Sequence, residues 1–343
     1  MNRMGGFTRF QKVALAALLS VMLLIFVGAI VRATGSGMGC PDWPKCWGQY
    51  IPPTEKSQID VDSLPIEKYK EKRKRNGGDP NDITKETVLA EFNPMHTWVE
   101  FINRLCSLPV GVFTLLTMIL AFRFRAGRPL VFYGSFLALV LVGVNAWMGA
   151  KIVYSGLKPG TITIHMALAI WLMCVQVYLV WAGGDRKWKI DFKKGQSGAV
   201  KWIGLVLFLI IIIEGIMGSQ VREMTDTLQK SHGDAPRAEW IGELEETWMY
   251  LVHRSFSWAI LGVTISFFSQ CAARREGGVK WQEYVVLSMV VAQMVLGIIL
   301  SHVGVLPVVQ VLHIGLSSVL VCALFTWLLG AFCQGETKSE VSA

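Results

Sequence analysis

Apolar residues run through this chain in long blocks, not at the alternating or three-to-four spacing of strands and half-exposed helices. From Val13 to Ile30 the only hydroxyl-bearing interruption is Ser20, and a helix rising about 1.5 Å per residue over that stretch crosses a hydrocarbon layer of about 30 Å. Further blocks lie at 96–122, 130–150, 162–182, 202–221, 248–271, 282–302 and 306–333. The pattern predicts eight membrane-spanning helices. A cleavable leader is the rival reading of the first block. That block is longer than a usual leader core, however, and runs into Arg32 and Gly35 with no small-x-small cleavage site.

Composition agrees with the pattern. Of 343 residues, 52% are hydrophobic and 17% charged, and mean hydropathy is +0.44. Soluble domains are about a quarter charged, so a soluble enzyme is excluded, and so is a disordered chain. A net charge of +8 would suggest nucleic acid in a soluble protein. Here sixteen Lys and Arg fall in 1–12, 121–130, 183–201, 272–280 and beyond 331, against five in 151–161 and 222–247. The basic residues therefore mark orientation in a lipid membrane, not a nucleic-acid partner, and both termini are expected to be cytoplasmic. The external segment 34–95 is long enough to escape that rule. It opens with a Gly, Pro and Trp rich stretch, Gly35 to Pro53, and continues through Glu67 to Arg75 into Gly77, Gly78 and Pro80. Its second part reads as a mobile excursion, a solvated helix and turn without chemistry.

The chain repeats itself. Thr97-Trp98 and Asn103-Arg104 recur as Thr247-Trp248 and His253-Arg254 at an offset of 150. Gly149, Gly156, Pro159 and His165 recur as Gly297, Gly304, Pro307 and His313 at an offset of 148. Val31-Arg32, closing the first span, resembles Val221-Arg222, closing the fifth. An all-α membrane protein of two pseudo-symmetric four-helix bundles is expected: residues 1–182 with the external loop 34–95, a cytoplasmic linker 183–201, and residues 202–343. An even number of spans per unit makes the repeats parallel.

All six histidines, His96, His165, His232, His253, His302 and His313, fall in the outer part of the membrane or outside it. His253 lies about five residues into its span and His313 about seven, a depth of roughly 8 to 11 Å for each. Two imidazoles at one depth on different helices suit the axial positions of a haem iron. Zinc would want a third or fourth ligand at that level, and hydrogen-bonded core histidines are the bland alternative. Arg32, Arg222 and Arg254 stand where they can pair with haem propionates or anchor span ends by snorkelling. In the first half Asn103 replaces the histidine opposite His165, so a macrocycle there would be held by His165 alone. Glu100, one turn from Asn103, reads either as a catalytic carboxylate over an open iron face or as the i+4 partner of Arg104. His96 reads as a structural rim residue. Glu214, deep in the fifth span, serves proton movement or a neutral hydrogen bond.

Five of the seven cysteines, Cys106, Cys174, Cys271, Cys322 and Cys333, fall in or at the ends of helices and read as small apolar residues. Cys40 and Cys46 bracket a Pro-rich external turn and are expected to form a disulfide, structural or redox-active.

The segment Gly28-Ala29-Ile30-Val31-Arg32-Ala33-Thr34-Gly35-Ser36-Gly37-Met38-Gly39-Cys40-Pro41-Asp42-Trp43-Pro44, the Glu100-x-x-Asn103-Arg104 motif and the two later His positions resemble the haem A synthases of terminal oxidase assembly. The resemblance covers nearly the whole chain. It implies a bacterial plasma-membrane oxidoreductase that converts the C8 methyl of haem O to a formyl group. It further implies haem b at His253 and His313 with Arg222 and Arg254 beside it. Substrate haem O would lie near Glu100, His165, Asn103, Arg104 and Arg32. A haem O synthase, the oxidase assembly machinery and an electron donor are the implied partners. The family pattern has Glu-x-x-His where this chain has Glu100-x-x-Asn103, so the departure falls on a ligand position. A di-haem electron-transfer cytochrome and a haem carrier or assembly factor are the competing readings. Glu100 separates the first of these from the enzyme, because a pure electron carrier needs no carboxylate over iron.

Overall fold

The computed structural model describes residues 6–75, 78–157, 160–185, 187–233 and 235–333. Eight helices are long and apolar enough to cross a membrane. They are α1 (Arg9–Ala33), α4 (Pro94–Ala121), α5 (Pro129–Ser155), α6 (Thr161–Ala182), α7 (Ser197–His232), α9 (Trp248–Arg274), α10 (Trp281–His302) and α11 (Pro307–Phe332). Three short helices lie between them: α2 (Ile66–Arg75), α3 (Lys85–Ala90) and α8 (Arg237–Glu245). The protein is a multi-pass, all-helical membrane protein.

Local chemistry sets the helix ends. Thr8 and Gln11 form a capping box at the start of α1, and Asn93 caps α4 by accepting from the His96 amide. α4, α5 and α11 each open on a proline, which suits a position where no intrahelical donor is needed. Gly156 closes α5 in the left-handed conformation, with φ 69°.

Packing follows chain order. α1 rests on α4 and α6, α4 on α5, and α5 on α6, while α7 rests on α9 and α11, α9 on α10, and α10 on α11. The two groups meet where α1 and α6 press against α11, and where α6 touches α7. Large apolar side chains such as Leu19, Leu115, Phe136, Trp171, Leu209 and Ile298 stay exposed along the spans, as a lipid-facing surface requires.

Two expectations change. The fifth span does not stop at Val221: α7 continues as one helix to His232, carrying Arg222, Glu223 and Asp226 beyond the apolar block, because Glu223 finds partners at the start of α6, Asp226 finds Arg32 on α1, and Arg222 pairs with Asp226 one turn along α7 itself. The external segment is likewise more than a solvated helix and turn. α2 forms where the charged run predicts a helix, but Cys40, Cys46, Trp47, Ile59, Leu64, Tyr69, Val88 and Phe92 bury one another in a satellite core. Burial, with Asp42 nearby, pushes the Tyr69 hydroxyl above its ordinary range. Gly77 and Pro159, singled out in the sequence, lie outside the described residues.

The connection between α6 and α7 packs beneath the second group. Ile190 donates its amide to the Gly330 carbonyl at 3.0 Å, and Lys193 donates to Arg274 at 2.9 Å. Above it Arg275 and Glu283 form a wholly buried ion pair, and Trp327 Nε1 donates to the same carboxylate at 2.7 Å.

Candidate functional site

One cavity of about 1630 Å³ runs between the two groups of helices. Its wall takes Glu100, Asn103, Arg104 and His165 from the first group, and Glu214, Arg222, His253, Arg254 and His313 from the second. Every residue predicted for the haem sites therefore faces one continuous space.

A glycine stands opposite each of the four ligand-type positions. A Cβ placed on Gly28 would lie 3.8 Å from Asn103 Oδ1, and one on Gly149 would lie 3.9 Å from His165 Cε1. In the second half a Cβ on Gly218 would come to 3.1 Å from His253 Cε1, and one on Gly297 to 3.7 Å from His313 Cε1. The third and fourth helices of each half contribute the Gly149 and His165 pair and its repeat, Gly297 and His313. The first and second contribute Gly28 with Asn103 and Gly218 with His253. Gly28 opens the signature segment and Gly218 carries no signal of its own, yet each precedes its repeated arginine, Arg32 or Arg222, by four residues. Extending the Val-Arg match one turn backwards finds them.

The buried ring nitrogens Nδ1 of His165 and His313 make no hydrogen bond, and neither does Asn103 Oδ1, while Nδ1 of His253 has the Glu214 carboxylate 3.1 Å away. Leaving such groups unpaired in an apolar interior is costly, and a bound group that engages the rings removes the cost. Among the described residues no group of three or more His, Cys, Asp or Glu side chains is placed to hold a bare metal ion. Imidazoles facing glycines across a largely apolar cavity, with arginines in its wall, fit a flat metal macrocycle.

The arginines are organised by an acid that the sequence reading passed over. Asp226 Oδ2 accepts from Arg32 Nε at 3.2 Å and from Nη2 at 3.1 Å, while Oδ1 lies 2.5 Å from Arg222 Nη1. One carboxylate on the extension of α7 thus holds the two repeat-related guanidiniums. Its neighbour Glu223 caps the start of α6, accepting from Gly160 N at 2.8 Å, Thr163 N at 3.2 Å and Thr163 Oγ1 at 3.1 Å. Both acids fall in a stretch that hydropathy assigns to a loop, which hid them. Arg254 is exposed at the cavity edge.

Glu100 is buried, 4% exposed. Its Oε1 accepts from Arg104 Nη2 at 2.6 Å and its Oε2 from the Cys40 amide at 2.9 Å. Arg104 also donates to the carbonyls of Cys40, Asp42 and Lys45 at 2.9–3.1 Å. Cys40 and Cys46 form the expected disulfide, with Cα atoms 4.7 Å apart. Trp47 Nε1 donates to Gly39 O at 2.7 Å, and Asp42 accepts from the amides of Trp47 and Gly48. At Gly39 a Cβ would collide with the His96 backbone, so the loop lies directly on the first turn of α4. His96 sits there, in the first turn of α4 and apart from the residues that line the cavity. His232 is elsewhere, 3.0 Å from Glu243 and stacked on Trp240.

These features define a helical membrane protein with one large cavity lined by histidines, arginines and glycines. Residues 11–325 match the model of the cytochrome oxidase assembly protein family, COX15-CtaA, and the chain belongs to that family. A haem A synthase of Sphingopyxis alaskensis is 26% identical over 324 residues, which is 89% of this chain and 87% of that protein. Haem A synthases of Bacillus cereus (strain 03BB102) and of Bacillus anthracis (strain A0248) are each 24% identical over 175 residues. Those two matches take in 51% of this chain and 43% of the relative's length.

Proposed function

We propose that this chain is a haem A-forming oxidoreductase, converting the C8 methyl of haem O to a formyl group for terminal oxidase assembly. The observation that carries this reading is the broken symmetry of the cavity: His253 and His313 face their glycines in one half, while in the other His165 stands with Asn103, an amide too weakly basic to ligate iron well. The second half is then the place of a resident haem b, and the first half the place of substrate haem O. When bound, the resident haem supplies one-electron redox chemistry.

The remaining work falls to the chain. Asp226 pre-orients Arg32 and Arg222 at the outer rim, where propionates would be neutralised, and Arg254 extends that basic edge. Asn103 leaves one side of the substrate position open. Glu100 is the acid that the first-half helices contribute to the cavity wall, and each of its oxygens keeps a second lone pair with which to take up a proton. Arg104 and the Cys40 amide hold that carboxylate still. Two four-helix bundles in a bacterial plasma membrane, with both termini cytoplasmic, put this chemistry near the outer face. A haem O synthase, an electron donor and the oxidase assembly machinery are the proposed partners.

The test is co-expression with a haem O synthase, followed by extraction of the pigment and mass analysis of its side chains. The enzyme yields haem A. A di-haem electron carrier or a haem carrier returns only the haem supplied to it. Glu100→Gln keeps the second-half haem and loses haem A, accumulating haem O or its hydroxylated form. A loss of about 100-fold or more is expected of a group that moves a proton. Wild-type yield of haem A from this variant removes Glu100 from the chemistry.

A further inference from the structure

Glu214 is an acid among the apolar residues of α7, following Ile211, Ile212 and Ile213, and the proposed function does not use it. The repeat supplies no counterpart: at the offset of 190 that relates Arg32 to Arg222, the equivalent residue is Leu24. An acid here is costly unless its carboxylate has work to do. Its Oε1 lies 3.1 Å from His253 Nδ1 and accepts from Ser257 Oγ at 2.7 Å. Ser257 is one turn along α9 from His253, and its hydroxyl also reaches the His253 carbonyl at 3.0 Å. Three groups on two helices thus converge. The Glu214 and His253 side chains are 15% and 22% exposed and line the same cavity. Among the described residues, neither His165 nor His313 has an acid within ion-pair distance.

We propose that Glu214 is a positioning residue for the haem ligand His253. Its carboxylate accepts the Nδ1 proton of the imidazole and thereby fixes the tautomer in which Nε2 is unprotonated and turned to the cavity. Ser257 holds the carboxylate in place by donating to the same oxygen, Oε1, that faces the ring. A carboxylate behind a ligating imidazole raises the basicity of the ring, strengthens the bond to iron and favours the oxidised metal. Of the four histidines that line the cavity, His165, His253, His302 and His313, His253 alone among the described residues has an acid within ion-pair distance. The second-half haem is thus held by one strengthened and one ordinary ligand and is poised at a lower potential than two plain imidazoles would give. This inference rests on the reading of His253 as an iron ligand.

The experiment uses the full chain, purified with its haem, as wild type, Glu214→Gln, Glu214→Leu and His253→Ala. Glu214→Gln keeps an acceptor and loses the charge, so the low-spin spectrum persists while the midpoint potential rises. Glu214→Leu removes the acceptor: the potential rises further and haem affinity falls roughly 10- to 100-fold. In haem-free protein, the 15N shifts of His253 report the Nδ1-protonated tautomer in wild type and a mixture in Glu214→Leu. His253→Ala loses the low-spin signal. Wild-type potential and affinity in Glu214→Leu overturn the role of Glu214 and leave the haem reading intact. Should Glu214→Leu fail to assemble, an unchanged potential in the isosteric Glu214→Gln overturns it equally. A low-spin spectrum that survives in His253→Ala overturns the ligand assignment, and the present inference with it.

Discussion

At position 103 an amide occupies a place that otherwise has the features of a ligand site. Gly28 stands opposite, Oδ1 is buried without a hydrogen-bond partner, and His165 shares the cavity. Side-chain amides are weak donors to iron, so the difference from His253 is chemical and not architectural. Asn103→His is therefore expected to fold normally and to convert a haem bound in the first half to a low-spin, two-imidazole form. Optical and electron paramagnetic resonance spectra of the variant check this. An unchanged spectrum places residue 103 away from the iron. Position 226 makes the opposite point. Its single carboxylate binds two arginines from different halves, and only their approach in space gives it that role.

Among the elements, the disulfide loop does most to shape the first-half site. Four donors fix it to α4: the Cys40 amide onto Glu100, two Arg104 nitrogens onto loop carbonyls, and Trp47 Nε1 onto Thr97 Oγ1 at 3.1 Å. The bond between Cys40 and Cys46 closes a loop with a sequence separation of 6 and keeps those carbonyls turned towards Arg104. Thiol labelling of native membranes should find these two cysteines unreactive until reductant is added, and equal labelling in both conditions rejects the bond in the living membrane. The extension of α7 is the second such element. A helix carried past its apolar block delivers Glu223 to the start of α6, where a side-chain acceptor is typically worth about 0.5–2 kcal/mol, and so ties the two halves together at their outer ends.

Over the whole molecule, the two halves differ at both ends. Along the cavity they differ in side chains, with Asn103 against His253 and Leu24 against Glu214. At the far end of the second half, Arg275, Glu283 and Trp327 form a buried cluster, and Glu283 is fully covered. Removing one partner leaves a buried charge uncompensated, so Glu283→Ala should cost about 3–5 kcal/mol. It should lower the thermal midpoint while the haem spectrum of the remaining folded protein stays as in wild type. A spectrum altered in step with the loss of stability would mean that the two ends of the bundle are coupled.

The sequence alone determined the features that a one-dimensional signal can carry. Eight apolar blocks are legible because a helix in lipid must satisfy its backbone internally and cover itself with hydrocarbon. His165, His253 and His313 are legible because polar groups are rare there, and the repeat is legible because matching spacings survive where side chains change. The disulfide is legible because only five residues, two of them prolines, separate Cys40 from Cys46. Tertiary structure decided everything that depends on two distant segments meeting. Asp226 and Glu223 look like loop acids until α1 and α6 supply their partners. Irregularly spaced Ile59, Leu64, Tyr69, Val88 and Phe92 have no period to reveal the small core they build. Gly28 and Gly218 gain meaning only from the residues facing them. Glu214 is an isolated acid in the sequence and a neighbour of His253 in space, because α7 packs against α9 and the fold alone sets that register.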